Sequence, residues 1–183
     1  MRNAPGTAPT GTHWQRQPEW MASMTYDIFR RRNSLRDPGY DYAQPGAVFV
    51  TICTSGRQPL FGTMQSSHLV HTPAGATAVD RWRAIPDRFP TVAIDAFVVM
   101  PDHVHGILIC GTVPNDETPK ATTGDVVRWF KSSVHAAYRH GVMRLDWPAY
   151  DCHLWHRAYY DRIIRTAGEY AQYQRYIDGN PGR

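Results

Sequence analysis

His103 and His105, separated by one valine, are the residues whose type and spacing most directly suggest chemistry. Side chains alternate between the two faces of a strand, so the two imidazoles point the same way, one pleat apart. Val104 and Leu108 are then left to hold the opposite face in a core. Two imidazoles side by side on a rigid strand make the start of a metal site. The plainer alternative is a pair of polar residues on a solvated strand face. The stretch before them, Val98-Val99-Met100-Pro101-Asp102, reads as an apolar strand and a Pro-Asp turn, which predicts an antiparallel hairpin with the histidines on its second arm.

The surrounding elements must carry that hairpin. Ala47 to Cys53 reads as a β-branched strand ended by Ser55-Gly56. Thr72-Pro73 is an N-cap and first-turn pair, Ala78, Trp82 and Ile85 form the apolar stripe of the helix it opens, and Pro86 is expected to stop it. Thr91 to Met100 is a second strand, with Val92, Ile94, Ala96 and Val98 expected on one face. Gly111 to Gly124 is a turn-rich surface loop. From Asp125 the period becomes helical, with Val127, Phe130, Val134 and Tyr138 along one side. Arg128, Lys131, His135 and Arg139 line another side, a cationic stripe that is either solvated or offered to phosphates. Gly141 to His153 reads as irregular, and Trp155 to Arg165 as a fourth strand carrying Arg157, Tyr159 and Tyr160. Thr166-Ala167-Gly168-Glu169 is a capping-box pattern opening a last helix, which packs through Tyr170, Tyr173 and Ile177 and ends at Gly179-Asn180-Pro181. The predicted fold is α+β: a ferredoxin-like βαββαβ antiparallel sheet with an additional C-terminal helix. In that topology the first and third strands are central, which puts both histidines mid-sheet.

A chain of 183 residues is enough for one domain with its own core. It has no long uncharged apolar run, so neither a membrane span nor a secretory leader is expected. Cys53, Cys110 and Cys152 are odd in number and lack CxxC spacing, which fits a reducing cytoplasm better than a disulfide framework. The net charge is +4, and all the cationic side chains other than Lys120 and Lys131 are arginines, which suit phosphate and base contacts. Residues 1–29 read as a disordered extension rich in Pro, Thr and Gly, and residues 30–183 as the domain. Arg30-Arg31-Arg32, Arg36 and Tyr40-Asp41-Tyr42 form a basic-aromatic arm that either grips a phosphate backbone or is a solvated linker.

Together with His103-Val104-His105, several segments resemble the single-tyrosine transposases with a His-hydrophobic-His motif, and most nearly the REP-associated tyrosine transposases. They are Pro38-Gly39-Tyr40-Asp41-Tyr42, Val50-Thr51-Ile52-Cys53-Thr54, Leu60-Phe61-Gly62, Phe97-Val98-Val99-Met100-Pro101 and Phe130-Lys131-Ser132. Tyr159-Tyr160-Asp161-Arg162-Ile163-Ile164-Arg165 and Tyr176-Ile177-Asp178-Gly179-Asn180-Pro181 extend the likeness to the C-terminal part. The resemblance implies that Tyr176, on the additional helix, is the nucleophile. A phenol of pKa about 10 attacks poorly at neutral pH, so it needs a phosphate polarised by a divalent ion. His103 and His105 are the implied ligands for Mg²⁺ or Mn²⁺, with the Asn180 amide oxygen as third ligand, since a hard ion favours oxygen. Asn180 precedes a proline, which disfavours helix there, so a capping role is the alternative. Tyr159 and Tyr160 are competing nucleophiles, and Asp161, His153 and His156 are competing metal ligands. Asp102 stands where the family commonly has asparagine and is expected to have no catalytic consequence. The chain ends at Arg183, where relatives usually continue, so the last helix is expected to be less well anchored.

The implied activity is metal-dependent cleavage and rejoining of hairpin-forming single-stranded DNA through a 5′-phosphotyrosine, with no ATP needed because the covalent bond conserves energy. Arg128, Lys131, Arg139, Arg157 and Tyr159 are the implied DNA contacts, and a monomer or homodimer in the cytoplasm the implied state. The rival readings are a non-catalytic nucleic-acid-binding protein derived from a transposase, and a phosphodiesterase that uses water.

Overall fold

Strand β1 (Gly46–Cys53) is built around Val48, Phe49, Val50, Thr51 and Ile52, branched and aromatic side chains that fit a pleated, buried surface. It pairs antiparallel with β5 (His103–Cys110) on one side and with β6 (Tyr160–Ile164) on the other. Strand β4 (Val92–Met100) pairs with the far edge of β5, giving the order β4-β5-β1-β6. The first and third strands of the predicted unit are therefore central, as the ferredoxin-like arrangement requires. The computed structural model describes residues 45–66, 68–111 and 120–180. The expectations for the N-terminal extension, for the basic-aromatic arm and for most of the loop after Gly111 lie outside those residues.

Helices α1 (Pro73–Arg83) and α3 (Thr123–Arg144) cover one face of the sheet. Their Trp82, Phe130, Val134 and Tyr138 pack on Val48, Val50, Ile52, Val104 and Leu108. The other parity of the same strands, Phe49 and Ile107, packs on Tyr173 and Ile177 of α4 (Ala167–Asp178). Alternation thus sorts the strands into two cores, and His103 and His105 share the parity of Ile107, on the α4 face. Among the described residues no helix is long and apolar enough to cross a membrane, and all three cysteines are free thiols.

Several local expectations are corrected. Pro86 does not stop the helix: α1 ends at Arg83, and Pro86 sits in the first turn of a short α2 (Ile85–Arg88), where its missing N–H is no loss. A register shift between Ile94 and Phe97 splits β4, so Val92 and Ile94 face the larger core while Ala96 and Val98 face α4. At that bulge Asp95 accepts hydrogen bonds from the Tyr170 hydroxyl and, at 2.8 Å, from the Gln174 amide of α4. A small hairpin of β2 (Gly62–Gln65) and β3 (His68–His71) was not expected. Helix α3 runs on through Gly141, where a Cβ would lie 2.1 Å from the Trp147 ring, so this glycine permits close packing instead of ending the helix. The fourth strand begins only at Tyr160, with Trp155 making a lone bridge to Thr54. Thr166 caps α4 as expected, but Glu169 reaches back to the Arg165 N–H, one residue before the cap.

Candidate active site

The turn at Pro101-Asp102 launches β5 so that His103 faces Cys53, and His105 faces Thr51, across the β1–β5 ladder. Both imidazoles are buried, with ring centroids 4.5 Å apart and the rings edge to face. Phe49 stacks on His105 at 5.3 Å and on Tyr173 at 4.4 Å, so one aromatic column links the histidine strand to α4. Tyr173 fixes the roll of that helix. Tyr176, three residues further on, is then set beside Phe49 and His105, both ring pairs being edge to face. Its hydroxyl lies 3.2 Å from His105 Nε2. The sequence-predicted nucleophile and histidine pair are therefore brought together.

Each histidine is held at its other nitrogen. His105 Nδ1 is 2.9 Å from Thr51 Oγ1, and His103 Nδ1 is 2.6 Å from Asp102 Oδ1. The second carboxylate oxygen of Asp102 pairs with Arg57 Nε at 2.8 Å. Burial pushes both imidazoles below the ordinary histidine value, His105 well below it with help from the His103 and Arg57 charges. Both rings are thus neutral at pH 7. Burial raises the Asp102 carboxyl, but the hydrogen bond and charge of His103, with Arg57, outweigh it and hold the group below its usual value. Burial raises the Tyr176 phenol, while the Asn180 side-chain hydrogen bond and the Arg57 charge act against that rise. Sequence reasoning treats Asp102 as a turn residue with no catalytic consequence and gives Arg57 no role. A carboxylate next to the first histidine was the visible signal for Asp102, whereas Arg57 arrives from a turn whose shape the sequence did not disclose.

Neutral rings anchored at Nδ1 and presenting Nε2 have the donor chemistry of metal ligands, because second partners of this kind fix ring orientation. A divalent ion therefore fits His103 and His105. Among the described residues there is no group of three or more His, Cys, Asp or Glu side chains that could hold a metal ion. Asn180 follows the end of α4; its Nδ2 donates to the Tyr176 carbonyl at 3.2 Å, as a cap would, and its side chain also reaches the Tyr176 phenol, so its amide oxygen remains the third-ligand candidate. Asp161 faces Val50 across the sheet and so lies on the other face from the histidine pair.

The cationic candidates lie on the α3 side. Arg128 is exposed and 3.3 Å from Asp125. Exposed Arg139 and Arg157 line a cleft of about 800 Å³ together with His135, Tyr150, His153 and His156. Lys131 differs from its neighbours. Its ammonium donates to the carbonyls of His156 (2.8 Å), Arg157 (3.3 Å) and Ala158 (3.4 Å), and burial pulls its pKa down to about 8. It ties the chain ahead of β6 to α3. Tyr159 is half-buried against the larger core, with the Lys131 ammonium 6.0 Å from its ring centre.

No family model matches the chain. An uncharacterized protein of Haemophilus influenzae (strain KW20 / Rd) is 32% identical over 165 residues, which covers 82% of this chain and 88% of that one. Among solved structures, a REP-associated tyrosine transposase bound to a REP hairpin superposes with a TM-score of 0.55 at 19% identity, covering 80% of this chain and 73% of that one. The chain belongs to the family of the Haemophilus influenzae protein, and its fold is that of the REP-associated tyrosine transposases.

Proposed function

We propose that the protein is a metal-dependent DNA strand transferase whose nucleophile is Tyr176. The observation that carries this reading is the Tyr176 hydroxyl 3.2 Å from His105 Nε2, on the sheet face that also presents His103. A divalent ion such as Mg²⁺ or Mn²⁺, held by His103 and His105, would polarise a phosphate oxygen and make the phosphorus electrophilic. Tyr176 Oη attacks that phosphorus, forming the Oη–P bond as the P–O3′ bond breaks. The phenolic proton leaves to solvent and the departing 3′-oxygen takes one up. The product is a 5′-phosphotyrosine, and the 3′-hydroxyl of another strand reverses the step with no outside energy source. Asn180, by closing the last turn of α4 on the Tyr176 carbonyl, holds the nucleophile's backbone.

The substrate in this reading is hairpin-forming single-stranded DNA, a class supported by the hairpin bound to the solved structural neighbour. Arg128, Arg139 and Arg157 supply phosphate contacts, while Lys131 and Tyr159 shape the segment that presents Arg157. Incubating the protein with end-labelled hairpin DNA and Mn²⁺, then separating on a denaturing gel, tests the proposal. A covalent protein–DNA adduct, lost in Tyr176→Phe, is the expected result. Cleavage that survives Tyr176→Phe identifies a hydrolase using water, and a mobility shift with no cleavage identifies a binding protein.

A further inference from the structure

We infer that Asp102, anchored by Arg57, is a positioning residue that fixes the His103 proton on Nδ1 and so keeps the Nε2 lone pair available to a divalent cation. The inference rests on the strand-transferase reading above and concerns residues that reading leaves without a role. His103 and Asp102 are 7% and 8% exposed, so their 2.6 Å contact is shielded from water. An ionised carboxylate only accepts hydrogen bonds, so Nδ1 must be the donor and the lone pair must lie on Nε2. His105 has no such constraint, because its Nδ1 partner is the Thr51 hydroxyl, which can either donate or accept. The two ligands are therefore set up differently, and only His103 has its tautomer dictated by a charge.

The carboxylate is itself immobilised. Its Oδ2 receives Arg57 Nε at 2.8 Å, and the Asp102 carbonyl accepts from both the Thr54 N–H (2.9 Å) and the Thr54 hydroxyl (3.0 Å). On the other side of the turn, the Pro101 carbonyl accepts from the Phe61 N–H at 2.9 Å. Arg57 is delivered by an unusual backbone. It follows Gly56 (φ 61°) and adopts φ 57° itself, a left-handed conformation that residues with a side chain rarely adopt. A second donor of its guanidinium, Nη1, lies 3.0 Å from Cys53 Sγ, on the residue opposite His103 in the ladder. Strain of this kind persists where the surroundings over-determine it, and here every fixed contact converges on Asp102 and the start of β5.

The test uses the full-length protein freed of metal, with Mn²⁺ as probe. Long-range ¹H–¹⁵N NMR reads the His103 tautomer, and electron paramagnetic resonance of unbound Mn²⁺ reads affinity. Wild-type His103 is expected to carry its proton on Nδ1. Asp102→Ala should lose that preference and weaken Mn²⁺ binding about 10- to 100-fold, leaving the His105 tautomer unchanged. Asp102→Asn, which keeps an acceptor oxygen, should recover part of both. A wild-type His103 protonated on Nε2 would overturn the inference, and that measurement needs no variant to fold. So would unaltered Mn²⁺ affinity in Asp102→Ala when the wild type binds Mn²⁺ and forms the DNA adduct, a result that leaves the strand-transferase reading standing. A wild type that neither binds Mn²⁺ nor forms the adduct removes that reading, and this inference with it.

Discussion

His105 Nε2 has two claimants, since the Tyr176 hydroxyl lies 3.2 Å from it in this structure and a divalent ion would occupy it. The two uses exclude each other. Tyr176→Phe removes the hydroxyl and almost no packing, so it should bind Mn²⁺ about 2- to 10-fold more tightly than wild type, the value of one hydrogen bond of about 0.5–1.5 kcal/mol. Titration calorimetry on the two proteins measures this, and equal affinities would mean that the contact does not compete. His105→Ala should abolish adduct formation while leaving hairpin binding largely intact, because binding rests mainly on phosphate contacts; gel-shift and adduct assays on the same preparation separate the two. At this scale the sequence was informative wherever one short-range rule decided the outcome. The spacing of His103 and His105 put them on one face; Tyr176 was singled out by the family resemblance, and the packing of Tyr173 and Ile177 on the same helix set only where it stands. Asp102 reads in the sequence as a turn residue without catalytic consequence; its contact with Arg57, 45 positions away, is made only by the folded turn.

Among the elements, β5 is the most constrained, since each of its faces meets a different core. Gly106, next to His105, points toward Trp82, and a Cβ there would lie 2.2 Å from that ring. Gly106→Ala should therefore destabilise the fold by about 1–3 kcal/mol through overpacking, read as a lower denaturant midpoint with an unchanged slope. An unchanged midpoint would show that Trp82 moves aside freely. The elements themselves were legible from periodicity and caps: Thr72-Pro73, the stripe from Val127 to Tyr138, and Thr166 all do what their patterns imply. The bulge in β4 was not. Val92, Ile94, Ala96 and Val98 alternate without a break, and only pairing with β5 reveals the extra residue that turns Asp95 toward Tyr170 and Gln174. Likewise, nothing local distinguishes Gly141, a seat for Trp147, from a glycine that ends a helix.

For the whole molecule, the expected mark of nucleic-acid binding is affinity that falls steeply with salt. Arg128→Ala and Arg139→Ala should each flatten the logarithmic salt slope by about 1, measured by fluorescence anisotropy on a hairpin; Lys131→Met should leave the slope alone and lower stability instead, as its ammonium is held by three carbonyls. Slopes unchanged in both arginine variants would move the binding surface elsewhere. These arginines lie on the α3 side of the sheet and Tyr176 on the α4 side. The two sides come close at the end of β1, where the Ser55 and His156 amides bond to Leu154 and Cys53 and where His103 begins its strand. A polynucleotide that engages both sides must therefore bend round a corner, and the protein becomes a ruler. Oligonucleotides trimmed one nucleotide at a time should keep most of their affinity down to a length at which adduct formation stops abruptly, because the shortened end no longer turns the corner.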